Sequence, residues 1–582
     1  MIPVRPRSGA RRPGRRDLLR VGPAALAAGL WPTPAAAGQR AAVQAPSDIL
    51  ECAATLADLE FTADERNLMR SDVARNRRRY AALREVDVTH DTAPAFAFRP
   101  SPAGRLPAGR ATPHAALPVP RPERVAVPAS LEALAFEPVT TLSRLIERRL
   151  VTSVDLTRMY LDRLRRHGAR LNAVVTLLED TALAQAAAAD REIAGGRYRG
   201  PLHGIPWGAK DLFATRGART TWGARPYEQQ VIDADATVVE RLAEAGAVLV
   251  AKLSMGALAR GSVWFGGMTR NPWAPGRGSS GSSAGSGAAT AAGLVGFALG
   301  TETLGSIISP SAACGVTGLR PTFGRVSRHG AMALTWTMDK IGPMCRGVDD
   351  CALVFNAIYG PDGRDDAVVD APFAWDSGFD PARLRVGYLA DEFERPPLGA
   401  LFRNARAAEA RQAVLRTALD DLRRTGMTLE PIALPEFPAE ALRLILESEA
   451  AAAFDDLTRG GGLDQLTEQG PDAWPNVFRA SRLIPAVEYI RAQRARTLLM
   501  REMNALLERV DLFVSPTLSA SLTMTNLTGH PALALKAGFS GGLPVGLMLT
   551  GRLYDESTLL QAARAYERAT RWHTLHPSLD AL

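Results

Sequence analysis

From about residue 136 onwards the chain alternates helical segments with short apolar runs, and this alternation constrains the fold more than any other feature. Helical patterns cover residues 141–148, 154–167, 178–194, 405–424, 439–457 and 486–507, and apolar runs cover 247–251, 295–299, 384–389, 512–514 and 545–549. Such apolar runs are typical of strands buried on both faces, and strands that alternate with helices form α/β folds. We therefore predict an α/β fold with a mixed, mostly parallel central sheet covered by helices on both faces.

The segment before residue 136 has a different pattern and is predicted to form an extension. Residues 49–59 and 63–83 read as a helical pair, with Thr62 as the N-cap of the second helix. Nine prolines between residues 91 and 130 favour an extended strap. We assign 38–135 to this extension and 136–582 to the main domain. The sequence leaves open whether the extension mediates homodimerisation or wraps the core.

Residues 1–37 resemble a twin-arginine export signal. The motif RRDLLR at 15–20 precedes a weakly apolar run at 21–31 and three alanines at 35–37. The apolar run is too short for a permanent membrane span. We expect a periplasmic or secreted protein; the alternative is a disordered basic tail on a cytosolic enzyme.

The net charge of +8 comes mostly from that first segment. Without its seven arginines and one aspartate, 62 basic and 60 acidic residues remain, so nothing in the charge indicates a nucleic-acid partner. The cysteines (Cys52, Cys314, Cys345 and Cys351) lack zinc-ligand spacing, and we expect no metal and no cofactor. Cys345 and Cys351 could form a disulfide, but buried free thiols are the simpler interpretation.

Lysine is rare in this chain, which has 65 arginines and only four lysines: Lys210, Lys252, Lys340 and Lys536. A chain so biased towards arginine keeps lysine mainly where arginine cannot serve. Arginine cannot lose its proton in a protein, whereas a buried lysine can. Lys210, in the segment GIPWGAKD, is therefore a candidate general base, unless Asp211 pairs with it and keeps it charged.

A tract of glycine and serine, GSSGSSAGS at 278–286, is followed by GTETLGS at 300–306. Such tracts are usually linkers, but this one runs directly into an apolar stretch at 288–299. Its serines are candidate nucleophiles, since a hydroxyl attacks once a base takes its proton. No histidine lies near them in sequence, and a neutral lysine could serve instead.

These segments resemble the amidase signature family. Further blocks of the resemblance are GVTGLRPTFGRVS at 315–327, DKIGP at 339–343 and GGLPVGLM at 541–548, within a region of about 136–575. The resemblance implies the family's fold and the hydrolysis of a linear carboxamide, a small molecule, through an acyl-enzyme. Several separated blocks are more specific than one short motif.

The resemblance also implies a catalytic triad of serine, a serine after a cis peptide bond, and lysine. Aligned on this chain, the nucleophile is Ser306, the bridging serine is Ser282 after Gly281, and the base is Lys210. The peptide N–H groups implied to form the oxyanion hole belong to Thr303, Leu304, Gly305 and Ser306. Ser283 is expected to be structural, with hydrogen bonds within the tract.

Three positions depart from the family pattern. The chain has Glu302 where the family usually has aspartate, Leu304 where it has glycine, and Ile308 where it has arginine. We expect Leu304 to narrow the acyl pocket and Ile308 to remove a cation that braces this turn. The triad positions are all present, so we expect activity with a substrate that the sequence does not identify.

Three alternatives remain open at this point. The motif GSSAG at 281–285 fits a nucleophile elbow, which would make Ser283 the nucleophile of an α/β-hydrolase with His530, His573 or His576 as its base. This interpretation is weakened because residues 271–277 look like a turn-rich loop. The chain could also be a catalytically decayed binding protein, or the glutamine-hydrolysing subunit of a tRNA amidotransferase, against which the export signal argues.

Overall fold

The computed structural model describes residues 47–57, 59–87, 117–127, 129–376, 378–394 and 398–579. The predicted export signal and most of the proline-rich segment lie outside the described residues. Within them, no helix is both long enough and apolar enough to cross a bilayer.

Eleven strands form one mixed sheet, and four short strands form two separate hairpins. The strands are β1 (Val174–Leu177), β2 (Pro206–Lys210), β3 (Val248–Leu253), β4 (Val263–Trp264), β5 (Gly267–Met268), β6 (Arg270–Asn271), β7 (Ala274–Gly278), β8 (Phe297–Glu302), β9 (Thr317–Arg320), β10 (Lys340–Cys345), β11 (Arg385–Leu389), β12 (Thr428–Ile432), β13 (Leu512–Pro516), β14 (Ala532–Ser540) and β15 (Leu543–Gly551). The large sheet has the order β1-β3-β2-β8-β10-β9-β14-β15-β13-β11-β12.

The predicted mixed α/β sheet is confirmed, but its pairing is mainly antiparallel rather than mostly parallel. Six of its ten strand pairs are antiparallel and four are parallel. In the middle of the sheet, β14 and β15 form a hairpin through Gly541 and Gly542, which both have positive φ (57° and 77°). Such a two-residue turn joins antiparallel strands directly, whereas each parallel pair needs a long crossover.

Eighteen α-helices lie in the described residues, together with short 3₁₀ turns and one π-helical turn, Leu164–Gly168. The helices are α1 (Ser47–Leu56), α2 (Ala63–Arg84), α3 (Val139–Glu147), α4 (Ser153–Arg163), α5 (Ala169–Leu171), α6 (Glu179–Ala194), α7 (Thr237–Glu244), α8 (Ala284–Ala291), α9 (Ile308–Cys314), α10 (Val348–Ile358), α11 (Ala390–Glu394), α12 (Leu398–Arg424), α13 (Leu444–Ala453), α14 (Asp455–Arg459), α15 (Trp474–Ser481), α16 (Ala486–Arg509), α17 (Ala520–Thr528) and α18 (Glu556–Ala569).

Helices cover both faces of the sheet, as predicted. Alternate residues of β8 show this, because side chains alternate between the faces of a strand. Phe297 joins an apolar cluster with Phe355 of α10, while the next residue, Ala298, joins a second cluster with Ala288 of α8. The core therefore consists of two apolar layers with the sheet between them.

The five predicted apolar runs all became strands of the large sheet, but its other six strands were missed, β2 and β10 among them. Glycine and proline interrupt both strands, and β10 contains Gly342 and Pro343. A Cβ at Gly342 would lie 1.9 Å from the carbonyl oxygen of Leu319, so close packing against β9 requires glycine here. Glycine and proline lower the hydrophobicity of such a strand, so its hydrophobicity alone does not identify it as a strand.

The predicted helical pair of the extension is confirmed as α1 and α2. Thr62 caps α2 in a capping box, in which the Thr62 hydroxyl accepts from the N–H of Glu65 and the Glu65 carboxylate accepts from the N–H of Thr62. Helix α2 packs against α15 of the same chain, where Asp72 accepts from Asn476 at 3.0 Å. The division at residue 135 stays a prediction.

Candidate active site

Lys210 lies at the end of β2, and its side chain is fully buried. Strands β2 and β8 are parallel neighbours, so both end at the same edge of the sheet, where Lys210 contacts Thr301 near the end of β8. Burial lowers the pKa of Lys210 from 10.5 to about 7, although the charges of Asp339 and Glu302 oppose the shift. A lysine with this pKa can accept a proton near neutral pH.

Three hydroxyl groups surround the Lys210 amine. Nζ lies 2.9 Å from Ser282 Oγ, 3.0 Å from Ser283 Oγ and 2.8 Å from Thr301 Oγ1. The Gly281–Ser282 peptide bond is cis. The structure therefore brings Lys210 and Ser282 together, and it adds Thr301, which sequence reasoning missed although it lies within the GTETLGS segment.

The Ser283 hydroxyl bonds outside the glycine–serine tract, whereas hydrogen bonds within the tract were expected. It accepts from the Thr301 N–H and donates to the Thr301 carbonyl, both at 3.2 Å, besides its contact with Lys210. The tract lies between β7 and α8, and glycines let its segments approach closely. A Cβ at Gly281 would lie 1.8 Å from the carbonyl oxygen of Gly261, and one at Gly300 would lie 2.8 Å from Ser283 Oγ. The tract is thus part of the packed core and not a linker.

Ser306 lies half-buried in the loop between β8 and α9. The N–H of Ser283 donates to the Ser306 carbonyl at 3.2 Å, which fixes this loop beside the tract. The Ser306 hydroxyl forms no hydrogen bond with any residue that the structure describes, Ser282 included. The backbone N–H groups of residues 303–306 likewise donate to no residue that the structure describes. The hydroxyl and these N–H groups are therefore free to meet a ligand.

Glu302 organises the turn that carries Ser306. One carboxylate oxygen accepts from the N–H groups of Ile307 and Ile308 at 2.8 and 2.9 Å. The other accepts from Arg320 at 2.7 Å and from Asn526 at 2.8 Å. Burial opposes ionisation of Glu302, but the Arg320 guanidinium and the Ile308 N–H outweigh it and hold its pKa below 4.5. The turn therefore has a cation at its base, supplied by Arg320 of β9.

The structure shows the surroundings of two positions that depart from the family pattern. Ile308 is buried and apolar, and the buried Arg320 supplies a cation at this turn through its pair with Glu302. Leu304 packs partly against the larger core cluster and does not have positive φ, so its backbone needs no glycine. Thr303 is held by a 2.5 Å hydrogen bond to Asp339, which also accepts from the N–H of Leu334.

Replacing Glu302 with alanine is expected to lower the free energy of unfolding by about 3–5 kcal/mol, since it leaves the buried Arg320 without its counter-ion. The measurement is the urea midpoint of the folded protein. Glu228→Ala is the matched control, because Glu228 pairs with the exposed Arg225 and should change stability by at most about 1 kcal/mol. Equal midpoints for the two variants would show that Glu302 does not organise the turn.

Asp211 does not pair with Lys210, which was one possibility left by the sequence. Its carboxylate lies 3.1 Å from Nζ of Lys252, and it also accepts from the N–H of Thr221 at 2.9 Å. No carboxylate of the described residues lies within 4.0 Å of the Lys210 amine. All four lysines of the chain are buried, the most exposed being Lys536 at 6%. In this arginine-rich chain, lysine is thus found only at buried positions.

The nucleophile-elbow alternative finds no support at Ser283. His530 is buried against Thr528, with a distance of 2.7 Å from Nδ1 to Oγ1, and burial lowers its pKa to about 3. His576 stacks on Phe136, and no histidine of the described chain contacts Ser283. Residues 271–277 form most of the β6–β7 hairpin rather than an irregular loop, but this hairpin is separate from the central sheet.

The described residues contain no cluster of three or more histidine, cysteine or acidic side chains suited to a metal ion. Cys345 and Cys351 are buried free thiols, as are the other cysteines except the exposed Cys52. Burial raises the pKa of the Cys345 thiol well above 9.0, which makes it unreactive.

Comparison with known proteins agrees with the geometry. The Amidase family model matches residues 155–524. A glutamyl-tRNA(Gln) amidotransferase subunit of Methylococcus capsulatus is 36% identical over 74% of this chain and 97% of the relative, and that of Chloroflexus aurantiacus is 38% identical over 74% and 96%. The structure of native peptide amidase from Stenotrophomonas maltophilia superposes with a TM-score of 0.67 at 31% identity, covering 77% of this chain and all of the other. The chain therefore belongs to the amidase signature family.

Proposed function

We propose that this chain hydrolyses a linear carboxamide through an acyl-enzyme on Ser306. The observation that carries the proposal is the contact between the buried Lys210 amine, with its pKa of about 7, and the hydroxyl of Ser282. A neutral amine there takes the proton of Ser282 while Ser282 takes that of Ser306. Ser306 can then attack the amide carbon.

The proposed oxyanion site is the set of N–H groups from Thr303, Leu304, Gly305 and Ser306. Ordered N–H groups that lack a protein partner stabilise the negative oxygen of a tetrahedral intermediate without reorganisation. The protonated Lys210 then returns its proton through Ser282 to the leaving amine, the C–N bond breaks, and an ester forms on Ser306. In the second half of the reaction, water gives a proton to Lys210 through Ser282 and attacks the ester carbon. The bond to Ser306 then breaks, the proton returns to the Ser306 oxygen, and the acid is released.

A panel of amides tests the proposal. The purified chain should release amine from at least one class among aryl amides, simple carboxamides and peptide C-terminal amides, in the absence of other proteins. Esters of the same acids should be cleaved faster, because a better leaving group speeds acylation. Release of amine from none of these classes would overturn the proposal.

A second candidate is the glutamine-hydrolysing part of an amidotransferase. It is favoured by the match to relatives named as amidotransferase subunits, which this chain covers almost completely. Under this alternative, glutamine would be hydrolysed only after the other proteins of such a complex are added, and simple amides would not be cleaved. The two candidates therefore differ in whether the chain acts alone.

We further propose that the chain acts in the periplasm or outside the cell, because residues 1–37 resemble a twin-arginine signal. Cell fractionation of the full chain and of the double variant Arg15→Lys, Arg16→Lys tests this. The unaltered chain should be exported and the double variant retained, and equal retention of both would contradict the proposal.

A further inference from the structure

A cavity of about 530 Å³ lies between α2 of the extension and the main domain, and arginine dominates its walls. The arginines that line it come from three separate segments: Arg75, Arg78 and Arg79 from α2, then Arg260, then Arg443. We call this space the arginine cavity. Its carboxylates are Glu440, Glu447 and Asp472.

These carboxylates do not neutralise all five arginines. Arg79 pairs with Glu447, and Arg443 lies 3.3 Å from Glu440. Arg75 pairs with Asp72, whose carboxylate is 2.7 Å away.

Arg78 and Arg260 have no carboxylate within 4.0 Å in the part of the chain that the structure describes. Five arginines against three carboxylates give the lining an excess of positive charge, which Asp72, outside the lining, reduces through its pair with Arg75. This excess makes an anion the favoured occupant.

Arg260 is held in place without an ion pair. Its guanidinium lies 5.1 Å from the centre of the Trp474 ring, a cation–π contact that occupies one face of the guanidinium, and its N–H edges donate to no residue that the structure describes. Burial lowers the pKa of Arg260, and the nearby Arg443 lowers it further. More distant carboxylates oppose this pKa shift, namely those of Asp472, Glu468 and Glu447. The Nε atom of Arg443 is itself buried without a hydrogen-bond partner. A carboxylate between these two cations would relieve their repulsion and accept their N–H groups.

Two short chains of contacts connect the cavity lining with the two segments of the candidate active site, although no residue of that site lines the cavity itself. On one side, Arg260 precedes Gly261, whose carbonyl oxygen packs against Gly281 beside Ser282. On the other side, Glu440 accepts from Thr523 at 3.1 Å. The residue before Thr523, Leu522, packs against Gly305, where a Cβ would lie 3.2 Å from it.

We propose that the arginine cavity binds a carboxylate group of the substrate, at a distance of several bonds from the amide that is cleaved. The enzyme then prefers amides that carry an anionic group over neutral amides of the same length. This inference rests on the proposed amidohydrolase function and adds a substrate class to it. Three of the five arginines belong to α2, which precedes the first residue matched by the family model, so the extension supplies much of this selectivity.

Matched pairs of anilides test the proposal. Succinyl, glutaryl and adipoyl anilides carry a carboxylate on the acyl side, and the anilides with a methyl ketone in place of that carboxyl group are their neutral partners. On the amine side, acetyl-4-aminobenzoate is compared with 4-acetylacetanilide. The ratio of kcat/KM for the acid over its methyl ketone should exceed tenfold for at least one spacing. It should decrease as salt is raised, because exposed charges are screened.

Arg260→Gln and Arg78→Gln should each lower that ratio about tenfold or more, because each removes a charge-assisted contact with the substrate carboxylate. Arg78 is exposed, so its variant should fold even if Arg260→Gln does not. Arg77→Gln is the control, because Arg77 is exposed on the same helix and does not line the cavity. It should leave the ratio unchanged.

The outcomes separate this inference from the proposed function. Cleavage of neutral anilides with no preference for any acid, or a ratio unaffected by both cavity variants, would overturn the inference and leave the amidohydrolase proposal standing. If no anilide is cleaved, calorimetric titration of glutarate decides the inference. Binding that Arg260→Gln or Arg78→Gln weakens tenfold supports it, and absence of binding overturns it.

Discussion

Replacing Ser306 with alanine is expected to lower kcat/KM for every amide that the chain cleaves by about 10⁴-fold or more, because a serine nucleophile and its base act as one unit. The variant should fold normally, since the Ser306 hydroxyl has no hydrogen-bond partner among the described residues. Steady-state kinetics measures the loss. Mass spectrometry after treatment with a fluorophosphonate should show one adduct on the unaltered chain and none on the variant.

Ser283→Ala is the matched control for this experiment. Its hydroxyl is one of three around the Lys210 amine, and Ser282 and Thr301 remain when it is removed. We expect a loss of about tenfold, corresponding to one hydrogen bond of about 0.5–1.5 kcal/mol. If Ser283→Ala abolished labelling while Ser306→Ala kept it, the nucleophile would be Ser283. Full turnover and no labelling in Ser306→Ala would contradict the proposed role of Ser306.

Lys210→Arg is expected to reduce kcat/KM by about 10³-fold or more, although arginine is also a long basic side chain. The reason is that a guanidinium, with a pKa above about 12, cannot give up its proton to become a base. Kinetics on an activated ester and on an amide measures this loss. A variant that kept more than a tenth of the original rate would show that the Lys210 amine is not the base.

Lys252→Arg controls for the insertion of a bulkier cation into the same part of the fold. Lys252 is as buried as Lys210, but it pairs with Asp211, a role that needs only a cation. Its variant should lose some stability from overpacking, about 1–3 kcal/mol, and keep activity within about tenfold. The contrast between the two lysines separates loss of a base from a general disturbance of the core.

The sequence predicted the α/β class and the segments of the site because these depend on local features. Continuous apolar runs marked β3 and β8, and the rarity of lysine marked Lys210 as a buried amine. The structure adds contacts between residues that are distant in the sequence, which local features do not predict. The contact of Thr301 with Lys210 depends on two parallel strands that end at one edge. The pairing of Glu302 with Arg320 depends on the register in which β8 and β9 pair with β10, the strand between them.

The direction of the strands was the least predictable part of the fold. Antiparallel pairs such as β9–β10 are formed by segments separated by a long loop. No local sequence pattern identifies which strand pairs with which. The arginine cavity was missed for the same reason. Its outermost arginines in the sequence, Arg75 and Arg443, lie 368 residues apart, and the sequence shows each of them only as one of 65 arginines.

The dependence of the acylation rate on pH tests the central claim most directly. The rate of the first turnover with an activated ester, measured by stopped flow between pH 5.5 and 10, reports the protonation of the base. Because burial lowers the pKa of Lys210 from 10.5 to about 7, the neutral amine is lost as pH falls through 7. We predict a rate that rises with pH and levels off above an apparent pKa of about 7. A rate that is constant over this range, or one that still rises towards pH 10, would contradict the claim that a neutral Lys210 amine activates Ser306.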